Sequence, residues 1–475
     1  MGLPTYAFQR ERYWLGSAEV AEVAVAGAGE DEAFWSAVEA GDSGALAEVL
    51  RVGAGEVEAV LPALAGWRRE RVERSRADGM RYRVAWRVAD VEAGAVSGRW
   101  LVVGTEGVPE DRVEACVGAL AGGGAEPFVV VLDDGELDRW ELAARLTEED
   151  AFGGGVAGVL SLAALDSRVG VAGVPEGLPV SVAWSLALVQ ALGDAEIDAP
   201  LWCVTSGAVS TGRADGVVDP EQAQVWGLGR VAALEFPQRW GGLVDLPAVL
   251  DERAGSRLVR VLAGSEDQVA VRASGTFARR VARVEPHVGG PGEFASAGAV
   301  LVTGGTGALG AAVARRLARR GVTELVLTSR RGIEAPGAAE LVAELGELGA
   351  TATVVACDVA DREALAALLA EHRVTGVFHA AGVVDTVPLV GVGPEQFAEV
   401  LRAKTLGARH LDELVPEADM FVLFSSIAGV WGSGGQSAYA AANAYLDGLA
   451  EQRRARGLTA TSVAWGPWAE AGMLV

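Results

Sequence analysis

The chain has 475 residues, half of them apolar and 22% charged, a globular balance long enough for more than one core. A formal net charge of −24 argues against nucleic acid or an anionic membrane as a partner, and no run approaches the ~18 apolar residues of a membrane span. Cys116, Cys203 and Cys357 lie far apart and the four histidines are scattered, so neither disulfides nor a metal site is expected; with no signal peptide at the N-terminus, the composition predicts a cytoplasmic protein.

Met1–Gly16, MGLPTYAFQRERYWLG, follows no helical or strand period, and Ser17–Glu30 reads as a flexible Ala/Val/Gly/Glu stretch. Asp31–Arg76 is predicted helical, with apolar stripes at Phe34, Trp35 and Val38, at Leu46, Val49 and Leu50, and at Val57, Val60, Leu61, Leu64 and Trp67. Asp42 and Gly53-Ala54-Gly55 are the expected breaks. About 45 residues enclose too small a core to stand alone, so these faces must bury against something else. From Met80 the pattern turns to α/β. MRYRVAWRVAD, RWLVVG, PFVVVLDD, GVAGVLSL, APLWCVTSGA and GGLVDLP read as strands, with helices such as SVAWSLALVQAL and QVWGLGRVAALEF between them. The first turn of this run, Gly104-Thr105-Glu106-Gly107, lacks a third glycine and places an acid where a phosphate would sit. Gln268–Val284 reads as a hairpin, and the Gly/Pro stretch Pro286–Gly298 as a domain boundary.

A second α/β run follows. Its predicted strands are Ala299–Thr303, Glu324–Thr328, Thr353–Asp358, Val377–Ala380, Met420–Ser426 and Ala460–Trp465, alternating with helical runs such as AAVARRLARR and DREALAALLAEH. That rhythm predicts a parallel sheet with helices on both faces. Gly305, Gly307 and Gly310 form G-x-G-x-x-G directly after a strand and at a helix start, where backbone amides cradle a pyrophosphate. A carboxylate on the next strand would select NAD; the chain instead reads Thr328-Ser329-Arg330-Arg331, and guanidinium favours the ribose phosphate of NADPH. Ser426 ends the fifth strand, Tyr439 lies thirteen residues on, and Asn443 shares its helix face. A phenol with a pKa near ~10 is a poor acid at neutral pH without a nearby cation. Lys404 is the candidate: it is the only lysine among 40 basic residues. A compact, tunable ammonium is what a phenolate partner requires.

TGGTGALG (Thr303–Gly310), Ser426, Tyr439 and Trp465-Gly466-Pro467 resemble a short-chain dehydrogenase/reductase. An ordinary member has Lys four residues after the Tyr; here Asn443 stands there and Lys404 lies on the preceding helix. That exchange resembles the ketoreductase domain of modular type I polyketide synthases. The resemblance implies that Ser426 and Tyr439 bind a β-keto oxygen, that Tyr439 gives the proton, and that Lys404 and Asn443 support its relay. It implies cofactor contacts from Thr303, Gly304, Gly305, Thr306, Gly307, Leu309 and Gly310, and from Ser329, Arg330 and Arg331. Asp358 and Val359 would flank the adenine, and His379-Ala380-Ala381-Gly382 would pass beneath the nicotinamide ribose. Trp431, with Val383-Val384-Asp385-Thr386 where a Leu-Asp-Asp motif marks the other class, implies an A-type reductase giving an L-alcohol. Gln436, where a His marks reductases of epimerised substrates, implies subtype A1. A bulky indole at one mouth of the groove would block one approach of the pantetheine arm.

By the same resemblance the expected architecture is α/β. Residues 1–30 form a post-acyltransferase-like linker and 31–78 a helical dimerisation element joining two copies through residues 31–76. Residues 79–296 form a cofactor-free, Rossmann-like structural subdomain, and 297–475 the catalytic, NADPH-binding Rossmann subdomain. Ala469–Val475 resembles the start of a lid, beyond which the family has further helices and a last strand. The expected activity is reduction of a polyketide intermediate carried on the phosphopantetheine arm of an acyl carrier protein, beside the other domains of a synthase. Two alternatives are a reductively silent scaffold, against which the intact Ser426, Tyr439, Lys404 and Asn443 count, and a free-standing reductase of small ketones, against which the degenerate first half counts.

Overall fold

The structure is a computed structural model and describes residues 28–90, 94–148, 155–212, 215–216, 218–285 and 298–468. The linker-like N-terminus, most of the Gly/Pro boundary and the lid-like Ala469–Val475 lie outside the described residues. The backbone separates into two compact units. One holds the helices up to Arg83 together with Arg283; the other holds Val84–Ala282 and everything described from Gly298 onward.

The smaller unit contains α1 (Ala28–Ala40), α2 (Ser43–Leu50), α3 (Ala54–Glu58) and α4 (Leu61–Gly79). Asp42 separates the first two by accepting from the Ala45 amide at 2.9 Å, a side-chain N-cap. Gly53 caps α3, so Ala54 and Gly55, expected as breakers, lie inside a helix instead. Val38, Leu46, Val57 and Leu61 close into a small core, Trp35 stacks on Trp67 at 5.7 Å, and Arg68 lies over Trp35 at 4.7 Å. The predicted stripes bury only in part: Val49, Leu50, Val60 and Trp67 stay exposed, Trp67 by 49%. So few residues have too little interior to enclose them.

The larger unit carries two sheets. The first is built from β1 (Tyr82–Val88), β2 (Gly98–Thr105), α5 (Glu110–Gly122), β3 (Ala125–Leu132), α6 (Arg139–Glu148) and β4 (Gly158–Ser161). It continues through α7 (Val180–Asp194), β5 (Leu201–Thr205), α8 (Pro220–Glu235), β6 (Trp240–Asp245), α9 (Glu252–Leu262), β7 (Gln268–Arg272) and β8 (Gly275–Arg283). The order is β1-β8-β7-β6-β5-β4-β2-β3, with β2 to β7 parallel and β8 returning antiparallel in the predicted hairpin. Strand order reverses between β2 and β4, where an open α/β sheet offers its crevice. There Thr105 donates to Asp166 at 2.7 Å, and Arg168 bonds both Asp166 and Asp134 at 2.8 Å. A Cβ on Gly107 would lie 2.0 Å from the Asp166 carboxylate. The protein's own ion cluster therefore fills the place where a phosphate would approach.

The second sheet comprises β9 (Ala299–Thr303), α10 (Ala308–Arg319), β10 (Glu324–Ser329), α11 (Ala338–Glu347), β11 (Thr351–Ala356), α12 (Arg362–Glu371), β12 (Val374–His379) and α13 (Pro394–Leu401). After a π-helical turn, Arg402–Leu406, come α14 (Gly407–Leu414), β13 (Met420–Ser426), α15 (Ala428–Trp431), α16 (Ser437–Ala455) and β14 (Thr461–Trp465). All six strands are parallel, in the order β11-β10-β9-β12-β13-β14. β11 starts two residues earlier than expected and stops at Ala356, before Asp358 turns the chain by accepting from the Ala360 amide at 3.0 Å. Strand order now reverses between β9 and β12, at the Gly-rich turn. Among the described residues no helix is long and apolar enough to cross a membrane.

Helices α8 and α16 join the two sheets at a contact made of small residues. A Cβ on Gly227 would stand 2.4 Å from the Ala440 carbonyl oxygen, and one on Gly448 3.1 Å from the Ala223 methyl. Gly227→Ala should gain about 1 kcal/mol of helix propensity and lose about 1–3 kcal/mol to overpacking. Net destabilisation, read as a lower urea midpoint, is the expected outcome; an unchanged or higher midpoint would mean the helices yield freely.

Candidate active site

The turn between β9 and α10 needs its glycines for two separate reasons. Gly304 sits at φ +64°, in the left-handed region, with Ala380 and Ala381 backbone about 3 Å from any added Cβ. Gly310, in the first turn of α10, would place a Cβ 2.2 Å from the Gly304 carbonyl oxygen. Side chains at either position would fill the cradle. Gly305 packs on Leu327, while Thr306 and Gly307 lie at the solvent side of the helix start, Gly307 as N-cap.

Beside this turn opens a cleft of about 180 Å³ lined by Gly304, Ser329, Arg330, Asp358, Val359, Ala381 and Gly382. Arg402 enters it too and donates to Asp358 at 3.2 Å. Arg331 is exposed and caps the 3-10 turn Gly332–Glu334, so of the two expected guanidinium groups Arg330 is the one at the cleft.

A second cavity, about 200 Å³, gathers Ser426, Tyr439, Lys404, Trp431 and Gln436, with Leu309 and Ala380 on its wall. The first five come from the end of β13, the π-helical turn, the end of α15 and the start of α16. Burial pushes the Tyr439 phenol above its ordinary range, and hydrogen bonding with Ser426 and Asn443 draws it back. Asn443, one turn on, donates its side-chain amide to the Tyr439 carbonyl at 2.6 Å, and its Oδ1 is buried with no protein partner among the described residues. Ser426 Oγ accepts from the Ala428 amide at 3.2 Å.

Lys404 is 3% exposed. Its ammonium donates to the Phe424 carbonyl at 2.8 Å and stands 5.4 Å from the centre of the Tyr439 ring. Burial lowers its pKa to about 8, opposed by the Asp447 carboxylate. Gly382 leaves room for its stem, since a Cβ there would lie 2.6 Å from Lys404 Cε.

His379 is the last residue of β12, directly before Ala380-Ala381-Gly382. Its imidazole is fully buried, with Nε2 3.0 Å from the Lys404 carbonyl and Nδ1 2.8 Å from Thr303 Oγ1. A carbonyl only accepts, so Nε2 carries the proton and Nδ1 accepts from the threonine hydroxyl. Thr303 in turn accepts from the Ala381 amide at 3.2 Å. Burial and the nearby ammonium push the His379 pKa down to about 3, so it stays neutral. His379 and Thr303 thus tie the Gly-rich strand to the lysine's backbone from behind the cavity. Trp465, from the Trp-Gly-Pro motif at the end of β14, also lines the site, with two residues missed in the sequence: it stacks on Phe424 at 5.6 Å and approaches Trp468 at 5.0 Å, a second tryptophan just past the last strand being the available signal.

A parallel sheet with a Gly-rich first turn at its switch point, and a serine, a tyrosine and a buried lysine around one cavity, defines the short-chain dehydrogenase/reductase class. Residues 298–470 match the KR domain family, 84–281 the Rossmann fold domain of polyketide synthase extender module SpnB, and 31–74 the polyketide synthase dimerisation element domain. The polyketide synthase GfsA of Streptomyces halstedii is 51% identical over 99% of this chain, which spans 6% of that relative's length. A solved A1-type ketoreductase is 49% identical with a TM-score of 0.77, the match covering 83% of this chain and 84% of that one. A solved C2-type ketoreductase from a modular polyketide synthase is also 49% identical, at a TM-score of 0.74 over 82% and 85%. The chain belongs to the ketoreductases of modular polyketide synthases, and the KR domain acts on a ketone as an oxidoreductase.

The buried ammonium has a thermodynamic signature. An unfolded lysine keeps its proton to about 10.5, whereas this one loses it near about 8. Between those values the unfolded chain binds more protons, so the burial penalty, full below about 8, is relieved as pH rises. Wild type should therefore gain on the order of 1–3 kcal/mol relative to Lys404→Met between about pH 7 and pH 10.5. Urea unfolding at the two pH values measures it; a flat difference would put the ammonium in water.

Proposed function

We propose that this chain reduces the β-keto group of a polyketide intermediate carried by an acyl carrier protein, using NADPH, to an L-configured β-hydroxyl. The observation that carries the reading is that Ser426, Tyr439 and the Lys404 ammonium share one cavity next to the Gly-rich switch point. The cradle around Gly304 and Gly310 and the guanidinium of Arg330 fit a dinucleotide with a ribose phosphate, and the position of Asp358 and Val359 in the wall of the same cleft supports the reading that they flank the adenine. A bound nicotinamide supplies the hydride.

The protein's residues manage the oxygen and the proton. Ser426 and Tyr439 donate to the keto oxygen and orient the carbonyl. Negative charge then grows on that oxygen, the phenol passes its proton to it, and a phenolate remains. Lys404 stabilises that phenolate because its ammonium is already in place and dry. Lys404 and Asn443 support the return of a proton to Tyr439, the ammonium as the titratable group and the Asn443 Oδ1, without a protein partner among the described residues, as a hydrogen-bond acceptor. Trp431, 53% exposed at the cavity rim, and Gln436 support the A-type and A1 assignment, as does Val383-Val384-Asp385 in place of Leu-Asp-Asp. Overall likeness does not distinguish the subtypes, since A1- and C2-type structures resemble the chain equally well.

Oxidation of NADPH and of NADH is to be followed with an α-methyl-β-ketoacyl thioester, with chiral analysis of the alcohol. NADPH preference and an L-alcohol with its methyl unepimerised are expected, and Tyr439→Phe should slow turnover about 10²–10⁴-fold while still binding NADPH. A D-alcohol would overturn the reading of Trp431, and an undiminished Phe variant that of Tyr439.

We further propose that residues 31–76 pair with a second copy of the chain. The exposed Val49, Leu50, Val60 and Trp67 support it. Trp67→Ser should shift the gel-filtration volume from dimer to monomer; two identical elution volumes would sink the assignment.

A further inference from the structure

The rim of the catalytic cavity is made by two loops that the catalytic sheet does not hold. One runs from Gly432 to Gln436, directly after Trp431; the other runs from Val384 to Val390. They touch through an isolated bridge between Val387 and Gln436, with the Val387 amide donating to the Gly435 carbonyl at 2.7 Å. Gly432 and Gly435 both have positive φ, so the first loop has little intrinsic preference for this path.

What fixes both loops is helix α8, which belongs to the first sheet. The Arg230 guanidinium donates to the Gly429 carbonyl, and the Arg230 carbonyl packs so close to Gly432 that a Cβ there would lie 2.7 Å from it. At the last residue of the helix, Glu235 accepts from the Gly435 amide with one carboxylate oxygen and from the Leu389 amide with the other, each at 2.7 Å. From α7, Gln190 donates to the Leu389 and Val392 carbonyls at 2.8 and 2.9 Å. Two N–H groups from different loops converge on one carboxylate. Only a group with two charged acceptor oxygens meets both, because an amide would turn its NH₂ toward one of the donors.

We propose that Glu235 is a positioning residue for stereochemical outcome. Although it does not line the cavity, it sets the spacing between the two rim loops, and so the place of Trp431 and Gln436 beside the ketone. The inference rests on the reductase reading above for its stereochemical consequence, and on geometry alone for the clamp. Presenting one carbonyl face over the other is a matter of small free-energy differences, about tenfold for each 1.4 kcal/mol, so a rim loosened by a fraction of an ångström is enough to register.

Glu235→Gln and Glu235→Ala are to be compared with wild type in the full 475-residue chain. The first readout is hydrogen–deuterium exchange of peptides covering 384–391 and 431–436. Both should exchange at least about tenfold faster in Glu235→Ala, and to a lesser degree in Glu235→Gln, with α16 and β13 unchanged. The second is the alcohol isomer ratio from an α-methyl-β-ketoacyl thioester, in which the minor isomer should rise roughly tenfold in Glu235→Ala while kcat falls less. Unchanged exchange in both loops overturns the clamp. Faster exchange with an unaltered isomer ratio overturns the stereochemical role, and so does a kcat loss without a change in ratio. If Glu235→Ala loses protection throughout, the isosteric Gln variant decides. A wild type that reduces nothing sinks the reductase reading alone, and the exchange data still judge the clamp.

Discussion

An ammonium ion taken out of water governs the arrangement of the catalytic half. Lys404 is nearly inaccessible, and its charge survives there through one carbonyl, the face of the Tyr439 ring and the more distant field of Asp447. Such a group is tolerated only where its hydrogen-bond geometry is fixed in advance. The surrounding features supply that fixity. A π-helical turn presents the residue, Gly382 gives its stem room, and the His379–Thr303 chain holds its backbone to the same strand that ends in the Gly-rich turn. The buried ammonium and the Gly-rich turn are therefore tied together by one chain of hydrogen bonds.

The two sheets of the larger unit answer the same topological opportunity in opposite ways. Each reverses strand order beside a turn rich in small residues. At β9 and β12 the crevice stays open because nothing larger than hydrogen stands at Gly304 and Gly310. At β2 and β4 it is filled by Asp166, Arg168 and Thr105, whose charges and hydroxyl satisfy one another. A phosphate approaching there would meet carboxylates already in position.

Much of this was legible in the sequence, for reasons that differ by residue. Strands buried on both faces announce themselves as short apolar runs, and the glycine spacing after Thr303 is tied to a backbone need that few other sequences meet. Lys404 stood out through composition, as a lone lysine among arginines. The π-helical turn that carries it did not, because its hydrogen-bond pattern has no period of its own in side-chain type. Nor did the side-chain partners of His379, a buried threonine and a backbone carbonyl 76 and 25 residues away along the chain. The helical unit's stripes were visible as stripes, but which of their residues would find an interior depends on the size of the unit rather than on spacing. Glu235 was invisible for a simpler cause. Its two donors lie 154 and 200 residues away along the chain, beyond the reach of any local pattern.

The contact of α8 with α16, so close that Gly227 has no room for a methyl group, has a bearing on recombination between relatives. A catalytic half transplanted from another synthase arrives with its own version of the Ala440–Ala441 surface and its own rim loops, and meets a helix shaped for different ones. The natural seam for exchange is thus not the Gly/Pro stretch before β9 that the sequence suggests as a boundary. It lies farther upstream, ahead of α8, so that the helix travels with the surface it fits.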